Sequence, residues 1–234
     1  PEMSSLNLPE YLGKILLMQE GLVLVTGPTG SGKSTTLAAI INEINKIKNL
    51  HIITLEDPVE YMHTPNKCII NQREMGEDSE SYSSALKSAL REDPDIILMG
   101  EIRDLESMEI ALRAAETGHL VFSTLHTNDA ASTVVRLVDM GVASYMVATS
   151  LIGVIAQRLV RRLCDCKTVR EATVAEKVNM GVSPSEPLMI YEPTGCPQCQ
   201  NNGYFGRIGV YEIMPITKKL RNLIASSASV DELS

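Results

Sequence analysis

The chain has 234 residues, of which 44% are hydrophobic, so it can bury the core of one large domain or of two small ones. Its 29 acidic side chains outnumber its 21 Lys and Arg, and the formal net charge of −8 argues against nucleic acid as the main partner. No apolar run approaches the roughly 18 residues that suggest a membrane span, and no signal peptide is visible. We therefore expect a soluble, cytosolic protein.

Short apolar runs rich in β-formers alternate with helical patterns along the first half of the chain. Helical spacing of apolar residues covers residues 34–47, 79–92 and 105–117. The alternation is typical of βαβ units, so we predict an α/β fold with a mainly parallel sheet flanked by helices. The predicted strands are Leu22–Thr26, Ile52–Leu55, Ile96–Met99 and Leu120–Leu125.

Two more helices are predicted before the texture of the sequence changes. The first, Ala130–Met140, ends at Gly141, and the second, Ser144–Leu163, carries apolar residues at helical spacing and a basic C-terminal cluster. Prolines and glycines crowd the sequence after Leu163, which indicates a smaller, loop-rich subdomain. The predicted division is a linker at 1–20, a core at 21–163, and a C-terminal subdomain at 164–234 with a cysteine-containing insert at 164–199.

A complete phosphate-binding motif, G-x-x-x-x-G-K-S/T, lies between the first predicted strand and the first predicted helix. In that context backbone N–H groups and the helix N-terminus point at one spot, where a polyphosphate can bind. Lys33 is expected to reach the β- and γ-phosphates, and the Ser34 hydroxyl to ligate Mg²⁺. The predicted phosphate contacts are Gly27, Pro28, Thr29, Gly30, Ser31, Gly32, Lys33, Ser34 and Thr35.

Acidic and polar side chains follow the next three predicted strands. In an open α/β sheet, ligands bind beyond the carboxyl ends of the strands, so these side chains should face the phosphate-binding loop. Carboxylates there can hold Mg²⁺, or can orient and deprotonate the water that attacks the γ-phosphorus. The alternative is a set of solvated loops. The residues concerned are Glu56, Asp57, Glu60, Glu101, Arg103 and His126.

Four blocks, GPTGSGKSTT, LEDPVEY, REDPDIILMGEIRD and TGHLVFSTLHTNDAAS, resemble in order and spacing the motif blocks of the secretion ATPases that drive type II secretion and type IV pilus machines. The resemblance runs from about Leu22 to Val210. It implies a RecA-like P-loop fold, a homo-hexameric ring and Mg-ATP hydrolysis. It also implies work on an inner-membrane platform protein with a cytoplasmic adaptor, at the inner face of the bacterial plasma membrane. The loop reads phosphates rather than a base, so ATP follows from the resemblance alone.

The resemblance also implies roles for single residues. Glu60 matches the family's proposed catalytic base, and Glu101 matches the Walker B carboxylate that would hold Mg²⁺ with Ser34. Glu56 and Asp57 complete the aspartate box. The histidine box, which is thought to sense the γ-phosphate or couple subunits, and the candidate arginines for charge stabilisation are matched by His119, His126, Arg73, Arg91 and Arg103. The alternative is that a histidine there is a structural hydrogen-bonder and the arginines are merely solvated.

Four cysteines frame the loop-rich insert: Cys164, Cys166, Cys196 and Cys199. Paired thiols in a cytosolic chain favour a metal over a disulfide, and the second pair has the C-x-x-C spacing of a zinc knuckle. We predict a structural, zinc-ribbon-like Zn²⁺ site, although the first pair is separated by one residue instead of two. The fifth cysteine, Cys68, is expected to be a buried small hydrophobe.

Several alternatives stay open. The resemblance implies that assembly and secretion motors carry a zinc insert, so the cysteines favour such a motor as the first interpretation. The stretch Lys67–Glu74 resembles the retraction branch instead, so a retraction motor is the second interpretation. Family members carry an N-terminal domain that closes over the nucleotide, and only residues 1–19 precede the first strand here. A nucleotide-binding module with little hydrolysis of its own is therefore a third. The sequence lacks the base-reading motif of GTPases and the signature of ABC-type ATPases, and a small-molecule kinase is not expected to carry these acidic blocks.

Overall fold

The computed structural model describes residues 1–6, 8–9 and 11–233. They form two compact units: residues 1–158 with 209–234, and residues 159–208. This division differs from the predicted boundary after Leu163, because the C-terminal segment returns to the first unit. Ile216, Ile224 and Leu233 of that segment are buried in the first unit's hydrophobic core.

The first unit is built on a seven-stranded sheet in the order β3-β2-β4-β5-β1-β6-β9. Neighbouring strands from β3 to β6 pair in parallel, as predicted for an α/β fold. The four predicted strands are confirmed to within one residue at each end. The strands are β1 (Gly21–Thr26), β2 (His51–Glu56), β3 (Ile69–Glu74), β4 (Ile96–Met99), β5 (Leu120–Leu125), β6 (Leu151–Leu163), β7 (Thr168–Glu171), β8 (Met189–Glu192) and β9 (Tyr204–Pro215).

Successive strand residues point to opposite sides of the sheet. Both faces are apolar, and helices cover each of them. Leu22 and Leu24 of β1 enter one apolar cluster, while Val23 and Val25 enter the other. Four of the five predicted helices are confirmed. The helices are α1 (Tyr11–Ile15), α2 (Lys33–Ile47), α3 (Tyr82–Ala89), α4 (Leu105–Glu116), α5 (Ala130–Asp139), α6 (Ser144–Ser150), α7 (Val174–Asn179), α8 (Lys218–Ala225) and α9 (Val230–Leu233).

The predicted helix Ser144–Leu163 is wrong over most of its length. Helix α6 ends at Ser150, and the chain continues as β6, which pairs in parallel with β1. Residues 153–157 of β6 are all buried, and residues 151–156 form a continuous apolar run. Such a run cannot be told from a buried helix by periodicity alone. The pairing with β1 decides the conformation.

The second unit contains the antiparallel pair β7–β8 and the short helix α7. The helix begins with a capping box, in which Thr173 and Glu176 bond reciprocally to each other's backbone N–H. A 3₁₀ turn over Pro197–Cys199 follows β8.

Cys68, in the first unit, is 3% exposed, which confirms its prediction as a buried residue. Among the described helices of the chain, none combines the length and the apolar character needed to cross a bilayer.

Candidate functional site

The phosphate-binding loop connects β1 to α2, and the side chain of Lys33, the first residue of α2, bonds back to the loop. Lys33 is 9% exposed, and its Nζ donates to the carbonyls of Gly27, at 3.0 Å, and Pro28, at 3.2 Å. Burial lowers the pKa of Lys33, and the charges of Glu101 and Glu60 oppose this shift. Helix α2 has no side-chain cap at Gly32. Its first N–H groups therefore remain available to an anion, and a phosphate can take Lys33 from the loop carbonyls.

A cleft of about 390 Å³ lies beside this loop. It brings the loop together with the acidic segments after β2 and β4 and with the polar segment after β5, as expected for the carboxyl ends of parallel strands. The predicted site residues that line it are Thr29, Gly30, Lys33, Ser34, Glu56, Asp57, Glu60, Glu101, Arg103 and His126. Ten of its lining residues come from the loops that follow β1, β2, β4 and β5, which are far apart in the sequence, so only the fold assembles the cleft.

Glu101 is at the centre of a charged cluster in the cleft. Its Oε2 accepts a hydrogen bond from Arg103 Nε at 2.9 Å, and its Oε1 lies 3.2 Å from His126 Nε2. Arg103 also approaches Asp57, with 3.9 Å between the guanidinium and Oδ2. The hydrogen bond and charge of Glu101 raise the pKa of Arg103. Arg103 and His126 thus offset the negative charge of the carboxylates, a role that a bound cation could also fill.

The oxygen donors fit a small divalent cation. Glu101, Asp57 and the Ser34 hydroxyl line one cleft, and Mg²⁺ prefers one or two carboxylates together with phosphate oxygens and water. Glu101 and the other carboxylates are reached from solvent, so bound water has access to the same place. The donor set therefore fits Mg²⁺ bound with a polyphosphate.

Strand β3 supports the segment that carries Glu60, a feature that sequence reasoning missed. Gln72 Nε2 donates to the Tyr61 carbonyl at 2.9 Å, and Gln72 Oε1 accepts from the His63 N–H at 2.7 Å. Glu74 accepts from the Val59 N–H at 2.9 Å. The two side chains thus hold the backbone on both sides of Glu60. The available signal was the polar run Asn71–Glu74 directly after two isoleucines.

Two other cleft residues were also missed. Tyr82, the first residue of α3, has its pKa raised to about 12, first by burial and then by the charge of Asp57. His63 lines the cleft as well, and burial lowers its pKa. Neither residue belongs to a pattern that indicates a binding site. Only the fold, which brings the start of α3 and the segment after β2 to the same cleft, reveals them.

Outside the phosphate-binding loop, three predicted site residues do not line the cleft; within the loop the same holds for Gly27, Pro28, Ser31, Gly32 and Thr35. His119 precedes β5, so it lies at the opposite end of the parallel strands, and its Nδ1 is 3.0 Å from the Ala114 carbonyl. Arg73 lies on β3 and pairs with Glu92 at 2.5 Å. Arg91 is exposed beyond the C-terminal end of α3. A part in subunit coupling for these residues stays a prediction.

The four cysteines of the second unit meet in one cluster, with every Sγ within 4.8 Å of the others. Cys164 and Cys196 are 3.8 Å apart between sulfurs, as are Cys166 and Cys199, and Cys196 and Cys199 are 3.7 Å apart. Bonds of ~2.3 Å to a tetrahedral zinc place neighbouring thiolates roughly 3.8 Å apart. The cluster therefore fits zinc, and the single-residue spacing of the first pair does not prevent it.

Backbone groups around Cys199 favour its thiolate. Its Sγ accepts hydrogen bonds from the N–H of Cys196, at 3.1 Å, and of Gly203, at 3.3 Å. Burial opposes ionisation, but these donors and the neighbouring thiols lower the pKa of Cys199 to about 6. Gly203 has φ +76°, and a Cβ there would lie 2.4 Å from Cβ of Pro193. Glycine is therefore required for the close approach that supplies the second donor.

The chain is similar to proteins of bacterial secretion and pilus machines. It is 45% identical over 217 residues to the type II secretion system ATPase E of Vibrio cholerae, covering 92% of this chain and 42% of that protein. It is 48% identical over 218 residues to the type IV pilus assembly ATPase PilB of Myxococcus xanthus, covering 91% of this chain and 38% of that protein. The chain thus spans about two fifths of these curated relatives.

Solved structures agree with the sequence relatives. The pilus retraction motor PilT with bound ADP superposes with a TM-score of 0.76 at 42% identity, over 97% of this chain and 56% of that one. The Legionella pneumophila ATPase DotB superposes with a TM-score of 0.73 at 28% identity, over 97% and 56%. The pattern of the family described as "Type II/IV secretion system protein" matches residues 4–234. The chain therefore belongs to the type II/IV secretion system protein family.

Proposed function

We propose that this chain is the ATP-hydrolysing part of a motor that powers type IV pilus assembly or type II secretion. The observation that carries the proposal is the meeting of Lys33 with Glu60 and Glu101 in one cleft. A phosphate-binding loop alone indicates binding, whereas carboxylates facing it supply the groups that hydrolysis requires. The relatives named as secretion and pilus assembly ATPases support the same conclusion.

The proposed reaction is in-line attack of water on the γ-phosphorus of ATP. Lys33 and the loop amides neutralise the phosphate oxygens, and Ser34 with Glu101 would hold Mg²⁺. A bound metal would supply positive charge that neutralises the phosphate oxygens. Glu60 orients the water and takes its proton as the new P–O bond forms and the bond to the ADP oxygen breaks. Arg103 and His126 keep the Glu101 carboxylate oriented until substrate arrives.

The wider assembly is proposed from the relatives. We propose a homo-hexamer at the cytoplasmic face of the bacterial inner membrane, acting on a membrane platform protein and a cytoplasmic adaptor. Zinc in the cysteine cluster would fix the fold of the second unit without entering the reaction, because all four ligands come from the protein. Such a closed site leaves no position for substrate or water.

Retraction is the second candidate. The superposition on the retraction motor PilT at 42% identity favours it, and the cysteine cluster, which resembles that of assembly and secretion motors, favours the first reading. A nucleotide-binding module of low turnover is the third. The observation behind it is that Glu101 is already bonded to Arg103 and His126, so catalysis requires those contacts to be rearranged.

The test is Mg²⁺-dependent ATP hydrolysis measured against protein concentration, with a nucleotide-binding titration on the same sample. Specific activity that climbs with concentration is the expected result, because subunits in a ring complete each other's sites. Tight binding with negligible turnover at every concentration would instead support the nucleotide-binding module.

A further inference from the structure

Gln157 lies on β6 directly beside the phosphate-binding loop and is 2% exposed. Its Nε2 donates to the Ser31 carbonyl at 2.7 Å, and its Oε1 accepts from the Thr36 hydroxyl at 2.8 Å. Ser31 is within the loop and Thr36 is in the first turn of α2. One buried amide therefore joins the loop to the helix that follows it.

The backbone of the same residue limits the loop from a second direction. Gly27 has φ +147°, and a Cβ at this position would lie 2.2 Å from the Gln157 carbonyl oxygen. The first glycine of the loop is thus packed against β6 itself. Contacts at Gly27, Ser31 and Thr36 span most of the motif, and all three are made with Gln157.

The loop has few competing supports of its own. Ser31 Oγ is buried and makes no hydrogen bond to any residue within the described ranges. Lys33 bonds to the carbonyls of Gly27 and Pro28, which are the contacts that a phosphate would replace. Ser31, Thr36 and Gln157 do not line the cleft, so the two hydrogen bonds of Gln157 can persist when an anion binds there.

We propose that Gln157 is a positioning residue that sets the phosphate-binding loop in its anion-binding conformation before nucleotide arrives. The inference rests on the proposed function only in requiring that this loop binds phosphate. Strand β6, which sequence periodicity predicts to be a helix, would then contribute directly to nucleotide affinity. The ligands affected would be those that carry a β-phosphate, since Gln157 contacts the phosphate-binding loop.

The experiment compares Gln157→Leu, which keeps similar volume and removes both hydrogen bonds, with Thr36→Val, which removes the hydrogen bond to Oε1 and leaves the one from Nε2 to Ser31. Binding of ADP, inorganic pyrophosphate and adenosine is measured by calorimetry, and hydrogen exchange of residues 28–36 is followed without ligand. We expect Gln157→Leu to weaken ADP and pyrophosphate about tenfold, the effect of losing one or two buried hydrogen bonds. Adenosine should be unaffected, and the loop amides should exchange faster.

Two controls separate positioning from general destabilisation. Ile155→Val trims a buried side chain on the same strand, and Gln19→Leu removes an exposed glutamine. Neither should change the ratio of pyrophosphate to adenosine affinity. The double variant of Gln157→Leu with Thr36→Val should bind ADP no more weakly than Gln157→Leu alone, because both remove the same contact.

The inference is overturned if pyrophosphate affinity is unchanged in Gln157→Leu, or if ADP and adenosine weaken together in step with a lower melting temperature. If Gln157→Leu does not fold, Thr36→Val decides, and unchanged pyrophosphate binding with unchanged loop exchange counts against the proposal. Failure of the native chain to bind ADP or pyrophosphate is a different result, since it removes the proposed function itself.

Discussion

The cysteine cluster and the cleft beside the phosphate-binding loop differ in how complete they are. Three sulfur–sulfur separations in the cluster, of 3.7 to 3.8 Å, match those around tetrahedral zinc, and backbone N–H groups already bond to Cys199. In the cleft, by contrast, the charged groups bond to each other and to the loop: Glu101 to Arg103 and His126, and Lys33 to two carbonyls.

The difference reflects the two kinds of task. A structural metal site is closed by its own chain, whereas a catalytic site must leave positions for substrate and must exchange its contacts during turnover. Mutations in the cleft should therefore change nucleotide chemistry with little effect on folding. Mutations in the cluster should do the reverse.

The largest expected effect is that of Lys33→Ala. Removing the ammonium from the loop should abolish detectable ATP binding and lower hydrolysis by more than ~10²–10³-fold, since it deletes the main electrostatic contact to the phosphates. Nucleotide titration and phosphate release are measured together. The exposed Lys219→Ala is the control. Retained ATP affinity in Lys33→Ala would contradict the assigned loop geometry.

Glu60→Gln should separate binding from chemistry. The amide keeps the size of the side chain but cannot accept a proton, so we expect normal ATP binding and hydrolysis at least ~100-fold slower. Single-turnover phosphate release measures the chemical step directly. Exposed Glu77→Gln serves as the matched control. Unchanged turnover in Glu60→Gln would remove that residue from the role of base.

Cys196→Ser should act on the other region. We expect loss of about one zinc per chain, measured by atomic emission, and faster proteolysis within residues 159–208, because one of four ligands is gone. ATP affinity should change less than about threefold, since the cleft lies in the other compact unit. Cys68→Ser, outside the cluster, is expected to keep its zinc. Equal zinc content in both variants would contradict the assignment of Cys196 as a zinc ligand.

The smallest effects are expected from two equivalent helix caps. Asp104 and Asp129 each accept from a backbone N–H three residues on, at 2.8 and 2.7 Å, and from the same serine's hydroxyl at 2.8 Å. Changing either to Ala should cost about 1 kcal/mol of stability and lower the melting temperature by about 2–4 °C. Calorimetry without nucleotide tests this. A much larger loss of hydrolysis than of stability for Asp104→Ala would indicate a catalytic part for that carboxylate.

The phosphate-binding loop, the first four predicted strands and the acidic segments after them were predictable from sequence, because each depends on local spacing and on the rule that ligands bind at the carboxyl ends of parallel strands. The cysteine spacing likewise indicated a metal cluster. These are features in which neighbouring residues carry the whole signal.

Only the tertiary structure decided the rest. It made residues 151–163 a strand instead of a helix, since an apolar run buried on both faces has no period of its own and adopts the conformation that β1 pairs with. That pairing brought Gln157 to the loop across 126 residues of sequence. Sequence periodicity records which way a side chain faces along one element, and it carries no information on which element lies next to it.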